Sequence, residues 1–471
     1  MTSSKKILLF TNSEYGQANV FLSVAYELAM RNVQVHIASF PPFGKRLLNL
    51  EPLLKDYSQD IIFHTVPGLN YEDALTRFVD FKQLCTPPGV NGALQSYAVV
   101  PHAISPWTVE EYHQQMISLE NIVEAVNPDG VAIDSLWNTA LDVSKKLGLK
   151  RVILSPNSPK DFIGMKQPWL GGFWKYPALS SGYLYPIPIS LIPSNIYLNI
   201  RLIFTLVTSP LMKSLDAIRR TSHGLSNAII DQFTPDIPII FPALPETEFP
   251  DIQIPSNVHL SGPILLPWKS VQECDPDLEE WLSQPEMKTI MINLGSHALS
   301  DAIQIREIGG GIRILLGTMK NVQVLWKLMP DGEIRSVLEE IVGGEKRVKI
   351  VNWLEADPYA VLVHPNVVCS VHHGGANSFF EAVSAGVPHV VLPKWYDTYD
   401  YASRAEYLGI GLFGNQTSAP GASAEEFGNA LVRVVKEKSF VENAKILAQK
   451  CGSGESGRAK AAEKLLELFN Q

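Results

Sequence analysis

Cysteine is scarce in this sequence, with only four among 471 residues. The four are scattered and share no spacing typical of a metal site, so we expect reduced thiols in a reducing compartment, at Cys85, Cys274, Cys369 and Cys451. The N terminus, MTSSKKILLF, also lacks the long apolar core and cleavage site of a signal peptide. Together these absences predict a cytoplasmic protein.

Clustered positive charge is absent as well. The chain has 39 Lys and Arg against 48 Asp and Glu, a formal net charge of −9, and no basic stripe. Nucleic-acid binding needs clustered Lys and Arg to neutralise phosphates, so this balance argues against nucleic acid as a partner. The composition, 46% hydrophobic and 18% charged, is typical of a soluble globular protein, and the length favours two or more domains.

An uninterrupted membrane-spanning run is missing too, although a spanning helix needs about 20 continuous apolar residues. Residues 182–211 are apolar and aromatic, but they are interrupted by Pro186, Pro188, Pro193, Asn195, Asn199 and Arg201. We expect this segment to form an apolar wall of a substrate cleft or interdomain core. A weak, peripheral contact with a membrane surface is the alternative.

Both halves of the chain alternate β-branched apolar runs with segments of helical periodicity, which is typical of parallel sheets with crossover helices. We expect an N-terminal Rossmann-like domain over residues 1–240, with its first helix over Ala18–Arg31, and a second such domain over residues 268–455. Residues 241–267 are proline-rich and predict a linker. A final helix in residues 456–471 is expected to pack back across the cleft, and the ligand should bind between the domains.

A glycine turn joins a predicted strand to a predicted helix in the second half. The strand Val367–Val371 leads through His372 into His373-Gly374-Gly375-Ala376-Asn377-Ser378, where the helix opens. Glycines let the backbone approach a ligand closely, and the free N–H groups of a helix start attract anions. The pattern predicts a phosphate site.

The residues around this turn extend the pattern. Trp353-Leu354-Glu355 precedes the turn, and Glu381, Gly386-Val387-Pro388 and Pro393-Lys394-Trp395-Tyr396-Asp397-Thr398 follow it. In order and spacing, this stretch resembles the donor-binding signature of the UDP-dependent glycosyltransferases of family 1. The resemblance implies an α/β chain with the GT-B fold, in which two Rossmann-like domains face each other across a cleft.

The resemblance also implies a role for each matching residue. Trp353 would stack on uracil, Glu355 would lie near uracil and ribose, and Glu381 would accept hydrogen bonds from ribose hydroxyls. Asp397, followed by Thr398, would bind hydroxyls of the sugar. The diphosphate would be held by His373, Gly375, Asn377, Ser378 and, after an earlier strand, Ser296.

No DxD-type metal motif occurs near this signature, where Asp397 and Asp400 lie three residues apart. The resemblance implies catalysis without a metal, in which a helix terminus stabilises the leaving diphosphate as Mg²⁺ does elsewhere. We therefore expect no permanently bound cofactor and no metal, with UDP-glucose as the best candidate for the co-substrate.

The general base of the family is missing. It is a histidine in a turn after the first strand, and Gln17, whose amide cannot take a proton at neutral pH, occupies that place. We favour Asp134, which matches the histidine's orienting partner, as the base, and Glu14 as the second candidate. An acidic acceptor that needs only positioning, or a histidine such as His64 or His102, is a further alternative.

The leading expectation is an inverting transferase that moves a sugar from a UDP-sugar to an oxygen of a lipophilic small molecule, such as a phenol, flavonoid or sterol. Glu355 and Thr398 replace glutamines of the plant members. The identity of the transferred sugar is therefore not determined, and glucose is the best candidate. A catalytically weak nucleotide-sugar-binding protein or a regulatory subunit is the alternative, because Gln17 replaces the base. The candidate acceptor walls are Phe78, Phe81, Pro87–Trp107 and Trp169–Trp174.

Overall fold

The computed structural model describes residues 5–54, 61–225, 237–295, 301–330 and 332–470. These residues form two parallel β-sheets, each flanked by helices. The elements of the first domain are β1 (Lys6–Phe10), α1 (Tyr15–Met30), β2 (Gln34–Ser39), α2 (Pro42–Leu50), β3 (Ile61–Thr65), α3 (Tyr71–Thr76), α4 (Phe81–Leu84), α5 (Val90–Ile104), α6 (Val109–Val126), β4 (Gly130–Asp134), α7 (Asn138–Lys146), β5 (Arg151–Leu154), α8 (Pro159–Ile163), α9 (Gly171–Trp174), α10 (Ile192–Thr208), α11 (Pro210–His223), β6 (Ile239–Phe241) and β7 (Val258–Leu260).

The second domain begins after β7. Its elements are α12 (Val271–Cys274), α13 (Pro276–Leu282), β8 (Lys288–Asn293), α14 (Ala302–Thr318), β9 (Val322–Lys327), α15 (Gly332–Val342), β10 (Val348–Val351), α16 (Pro358–Leu362), β11 (Val367–His372), α17 (Ala376–Ala385), β12 (His389–Val391), α18 (Thr398–Tyr407), β13 (Gly411–Phe413), α19 (Ala424–Lys436), α20 (Lys438–Cys451) and α21 (Gly457–Asn470).

The central strands are buried on both faces, as parallel sheets covered by helices require. In β1, Leu8 and Phe10 belong to one buried cluster, whereas Ile7 and Leu9 belong to another on the opposite face of the sheet. This is why β1 reads as a continuous apolar run rather than as an alternating one.

The strand order of each sheet reverses once. The first sheet has the order β3-β2-β1-β4-β5-β6-β7 and the second the order β10-β9-β8-β11-β12-β13. The reversals fall between β1 and β4 and between β8 and β11. Ligands of such sheets bind outside the carboxyl ends of the strands at the reversal, so the loops after these four strands locate the site.

The segment predicted to be a linker is largely part of the first domain, which corrects the expected boundary. Within residues 241–267, Val258–Leu260 forms the parallel edge strand β7, paired with Ile239–Phe241. A strand of three residues is too short to show a periodicity in the sequence. The prolines that flank β7 favoured the prediction of a linker instead.

The last helix, α21, packs on the first domain. Its Arg458 forms an ion pair with Glu27 of α1, with 2.8 Å between Nε and Oε1. Leu465 and Phe469 are buried in the same cluster as Leu28 of α1. The chain therefore crosses from the second domain back to the first before it ends.

Buried charges join the two domains beside α18. Arg404 of α18 forms an ion pair with Glu248, with 3.2 Å between Nε and Oε1, and donates to Oγ of Ser158 at 3.0 Å. Lys160 forms an ion pair with Asp400, also on α18. All four charged side chains are almost fully buried, so each needs its partner.

We expect Arg404→Met to destabilise the protein by about 3–5 kcal/mol, because it leaves Glu248 buried without its cation. Thermal unfolding should show a clearly lowered Tm. The control is Arg306→Met, which removes a solvent-exposed ion pair with Glu340 and should change stability by less than about 1 kcal/mol. Equal effects of the two substitutions would contradict the importance of the buried pair.

Candidate active site

A cavity of 880 Å³ opens between the two domains, at the carboxyl ends of the strands beside both reversals. It brings together most residues that the sequence singled out: Glu14, Gln17, Trp353, Glu355, His373, Gly375, Asn377, Ser378, Glu381, Asp397 and Thr398. Asp134 does not line this cavity, and Ser296 lies outside the described residues.

The glycine turn after β11 presents its backbone to the cavity. Gly374 has a φ of 87°, in the left-handed region that favours glycine, and a Cβ there would lie 2.5 Å from the carbonyl oxygen of Thr398. A Cβ on Gly375 would lie 2.6 Å from Nε2 of His373. No side chain caps the start of α17 at Gly375, so the N–H groups of its first turn can bind an anion.

Two side chains flank this helix start. The His373 ring packs against Trp395, with ring centroids 5.6 Å apart. Asn377 donates from Nδ2 to the backbone carbonyl of Tyr15 at 3.3 Å, a contact between the two domains. The start of α17 in the second domain is therefore in contact with the start of α1 in the first.

Trp353 presents an aromatic ring to the far end of the cavity, with 45% of the side chain exposed. The Tyr15 ring lies 6.0 Å from it, tilted by 54°, and Nζ of Lys327 lies 3.8 Å from its centroid, a cation–π contact. An open aromatic face of this kind can stack on a nucleobase. Lys327 was not predicted from the sequence, where its only signal is its place at the end of β9.

Two carboxyl groups lie at this end as well. Burial, together with the nearby carboxylate of Asp357, raises the pKa of Glu381 to about 8, and the positive charge of Lys327 opposes the shift. Asp357, also missed from the sequence, accepts from the N–H of Tyr359 at 2.9 Å and caps α16. Glu355 lies exposed at the rim. A carboxyl group beside the nucleobase end can bind a diol such as that of ribose.

Asp397 and Thr398, in the loop after β12 and at the start of α18, also line the cavity. Burial raises the pKa of Asp397 to about 6, with Asp400 adding to the shift. The Thr398 hydroxyl accepts from the N–H groups of Lys394 at 3.2 Å and Trp395 at 3.0 Å, and it donates to the Trp395 carbonyl. Thr398 therefore holds the loop in shape, and Asp397 is the polar group of this pair that is available to a ligand.

Glu14 lies on the wall that faces α17. It occupies the N-cap position of α1, which begins a turn earlier than the apolar periodicity predicts, but its side chain does not cap the helix. One carboxylate oxygen, Oε1, accepts from the N–H of Glu72 at 3.1 Å, whereas Oε2 is buried without a hydrogen-bond partner. Burial raises the pKa of Glu14 to about 7.

Asp134 is placed differently. It is fully buried, and its two oxygens accept from the N–H of Leu136 at 2.9 Å and from the backbone and side-chain amides of Asn12 at 3.1 and 3.2 Å. Burial raises its pKa to about 6. A carboxylate that accepts three hydrogen bonds and does not line the cavity is poorly placed to take a substrate proton directly, which argues against the preferred role of Asp134 as a direct base. Gln17 does line the cavity.

Of the other candidates predicted from the sequence, some line the cavity and others do not. His64 bonds to His36 at 2.9 Å between ring nitrogens, and His102 stacks on Phe78 at 4.8 Å between ring centroids, and neither lines the cavity. Phe81 does line it, whereas the run Trp169–Trp174 lies outside it, with Trp169 on the surface. The apolar part of the wall comes instead from residues that the sequence did not single out: Leu50, Leu53, Tyr71, Leu75, Leu84 and Leu136.

Among the described residues, no group of three or more His, Cys, Asp or Glu is arranged to hold a metal ion.

Comparison with known proteins agrees with this geometry. Residues 331–468 match the family model of the erythromycin biosynthesis protein CIII-like C-terminal domain. Glycosyltransferase sdnJ of Sordaria araneosa is 37% identical over 500 residues, covering 97% of this chain and 96% of the relative. A UDP-glucosyltransferase from Polygonum tinctorium superposes over 100% of both chains with a TM-score of 0.66 at 15% identity. The glycosyltransferase VinC in complex with dTDP superposes over 99% of both chains with a TM-score of 0.62 at 17% identity.

The fold and the relatives define an enzyme that transfers a sugar from a nucleotide-sugar donor. This chain belongs to the glycosyltransferases of the GT-B type. The predicted fold class and enzyme class are thereby confirmed.

We expect Trp353→Ala to weaken the binding of a nucleoside diphosphate by about 1–3 kcal/mol, the loss typical of removing one base-stacking ring. Titration calorimetry with UDP measures this loss. Trp174→Ala, at a tryptophan of similar exposure outside the cavity, is the control and should leave the affinity unchanged. Unchanged affinity in the Trp353 variant would place the nucleobase elsewhere.

Proposed function

We propose that this protein is an inverting glycosyltransferase that moves a sugar from a UDP-sugar to an oxygen of a lipophilic small molecule. Glucose is the leading candidate for the sugar, and Glu14 is the general base. The observation that carries the proposal is the placement of two complementary groups in one cavity: the uncapped start of α17 and the residue Glu14, whose carboxylate oxygen Oε2 has no hydrogen-bond partner.

The reaction follows from this placement. Glu14 takes the proton of the acceptor hydroxyl, and the acceptor oxygen forms a bond to the anomeric carbon. The bond from that carbon to the diphosphate oxygen breaks on the opposite side, so the configuration inverts. The leaving diphosphate gains charge at the N–H groups of α17 and at His373, where hydrogen bonds and the helix dipole stabilise it without a metal.

The nucleotide end supports UDP as the donor nucleotide. Trp353 provides a face for uracil, and Glu381 is placed to accept from both ribose hydroxyls. A hydrogen bond to a neutral carboxyl group is worth about 0.5–1.5 kcal/mol, so a deoxyribose, which lacks one hydroxyl, binds less well. Asp397 is the group available for the hydroxyls of the sugar. Glucose is proposed because the motif resembles that of the UDP-glucosyltransferases.

The acceptor end supports a lipophilic molecule. Leucines together with Phe81 and Tyr71 form much of the wall contributed by the first domain. An apolar, partly aromatic wall with one carboxylate is suited to a flat molecule that carries a hydroxyl group, such as a phenol, flavonoid or sterol from secondary metabolism. Gln17, near Glu14, can donate to the acceptor oxygen.

We expect Glu14→Gln to lower kcat by about 10²–10⁴, the usual contribution of a general base, with the affinity for UDP unchanged. Glycoside formation from UDP-glucose and a panel of phenols, followed by mass spectrometry, measures the rate. Glu355→Gln is the matched control, since that carboxylate lies on the nucleotide side and glutamine occurs there in plant members of the family.

A double variant sharpens this test. The family places its base at position 17, so Glu14→Gln combined with Gln17→His should recover part of the activity that Glu14→Gln loses. Near-normal turnover in Glu14→Gln alone would reject Glu14 as the base.

The pH dependence follows from the raised pKa of Glu14, about 7. The base acts in its deprotonated form, so kcat/KM should be constant above this pH and fall about tenfold per unit below it. A rate profile from pH 5 to 9 checks this. A profile that stays flat down to pH 5 would indicate a base with an ordinary carboxylate pKa or no base at all.

A further inference from the structure

Helix α10 carries an apolar surface that the proposed reaction does not use. The segment Ile189–Thr208 is long and apolar enough to cross a membrane by length and composition. Only 17% of an 18-residue stretch within it is buried. The helix is nevertheless fixed to the domain. Asn195 donates to the backbone carbonyls of Phe173 at 2.9 Å and Tyr176 at 2.8 Å, and accepts from the N–H of Ala178 at 2.8 Å. A spanning position would break these bonds, so α10 is a surface helix.

The outward face of α10 is apolar along its length. Its exposed residues recur at intervals of three and four, which places them on one side of the helix. Their exposures run from 40% to 56%, at Tyr197, Ile200, Ile203, Phe204 and Val207. A surface helix normally turns polar residues outward, so this face is inverted relative to the usual pattern.

A second apolar feature lies beside this helix. Trp169 and Leu170 are 91% and 67% exposed, and both have a positive φ, 57° and 55°, which is uncommon for large side chains. They immediately precede α9, which packs against α10 and ends in the exposed Trp174. Water-exposed indole rings are typical of proteins that seat in the interfacial layer of a membrane.

The chain segment that carries these features has charges of one sign. No Asp or Glu occurs from Phe162 to Leu215, although the whole chain has a net charge of −9, and four basic residues occur there, at Lys166, Lys175, Arg201 and Lys213. Lys175 is paired with Asp251 at 3.1 Å, and Lys166, Arg201 and Lys213 are exposed. An apolar face on a chain segment whose only charged residues are basic is complementary to a bilayer that contains anionic lipids.

We propose that the docking surface, formed by Trp169, Leu170, Trp174 and the outward face of α10, seats this enzyme on the surface of an anionic bilayer. The aromatic and aliphatic side chains enter the interfacial layer, and the basic residues contact lipid phosphates. The protein then lies on the membrane without crossing it.

The docking surface is linked by packing to the cavity that holds the acceptor. This link to the acceptor rests on the proposed function. The inner side of α10 packs on α5 through Leu198, in a cluster that also contacts Tyr396, which lines the cavity. A lipophilic acceptor dissolved in the bilayer is therefore concentrated on the side of the protein where the apolar wall of the cavity lies.

The test is sedimentation with vesicles, without donor or acceptor, so that its outcome is independent of the reaction. Native protein should bind vesicles of equal parts phosphatidylglycerol and phosphatidylcholine, bind phosphatidylcholine alone at least about tenfold more weakly, and lose binding as salt rises. The double variant Trp169→Glu with Phe204→Glu should bind anionic vesicles at least about tenfold more weakly than native protein.

The control is Ile303→Glu, which changes a 71% exposed residue on α14 of the second domain and should bind vesicles as native protein does. Unchanged Tm and UDP affinity in the double variant show that it is folded with an intact donor site. The proposal is overturned if native protein does not bind anionic vesicles, or if the control loses binding as strongly. The proposal is also overturned if native protein forms a dimer that the double variant does not form. The docking surface would then bind a second copy of the chain rather than a bilayer.

Discussion

Charges buried where the two domains meet determine the shape of the active site. Arg404 and Glu248, like Lys160 and Asp400, are excluded from water, and a buried charge is tolerated only when its partner stays in contact. Because α18 carries Asp400 and Arg404 and starts directly after Asp397, these pairs also set the position of Asp397 relative to the first domain. A cavity built by two separate sheets thereby acquires one defined geometry.

The cavity turns a common residue type into groups with separate roles. Burial raises the pKa values of Glu14, Glu381 and Asp397 alike, but their neighbours differ: a backbone amide for Glu14, Asp357 and Lys327 for Glu381, and Asp400 for Asp397. Carboxyl groups that are partly neutral near pH 7 repel an incoming diphosphate less than ionised ones would. The same low-dielectric surroundings strengthen the attraction between the diphosphate and the start of α17.

The part of the cavity wall that the second domain contributes could be predicted from the sequence because most of it follows one continuous segment with a strand, a turn and a helix in fixed order. The part contributed by the first domain could not, because it is assembled from several elements brought together only by folding. Asp134 shows what the sequence does not predict. Its place at the end of β4 was predicted, but the hydrogen bonds that its carboxylate accepts from Asn12 and Leu136 were not. The strand Val258–Leu260 was missed because three residues show no period, and Lys327 because a lysine at the end of a strand has no motif around it.

The return of α21 to the first domain affects how this enzyme can be recombined with its relatives. The matched family model covers residues 331–468 and so groups α21 with the second domain, yet its Leu465 and Phe469 are buried against the first domain. A chimera that exchanges donor halves at a single junction would pair a foreign final helix with the native α1. Two junctions, one after β7 and one before Gly457, would keep each hydrophobic core with its own helices.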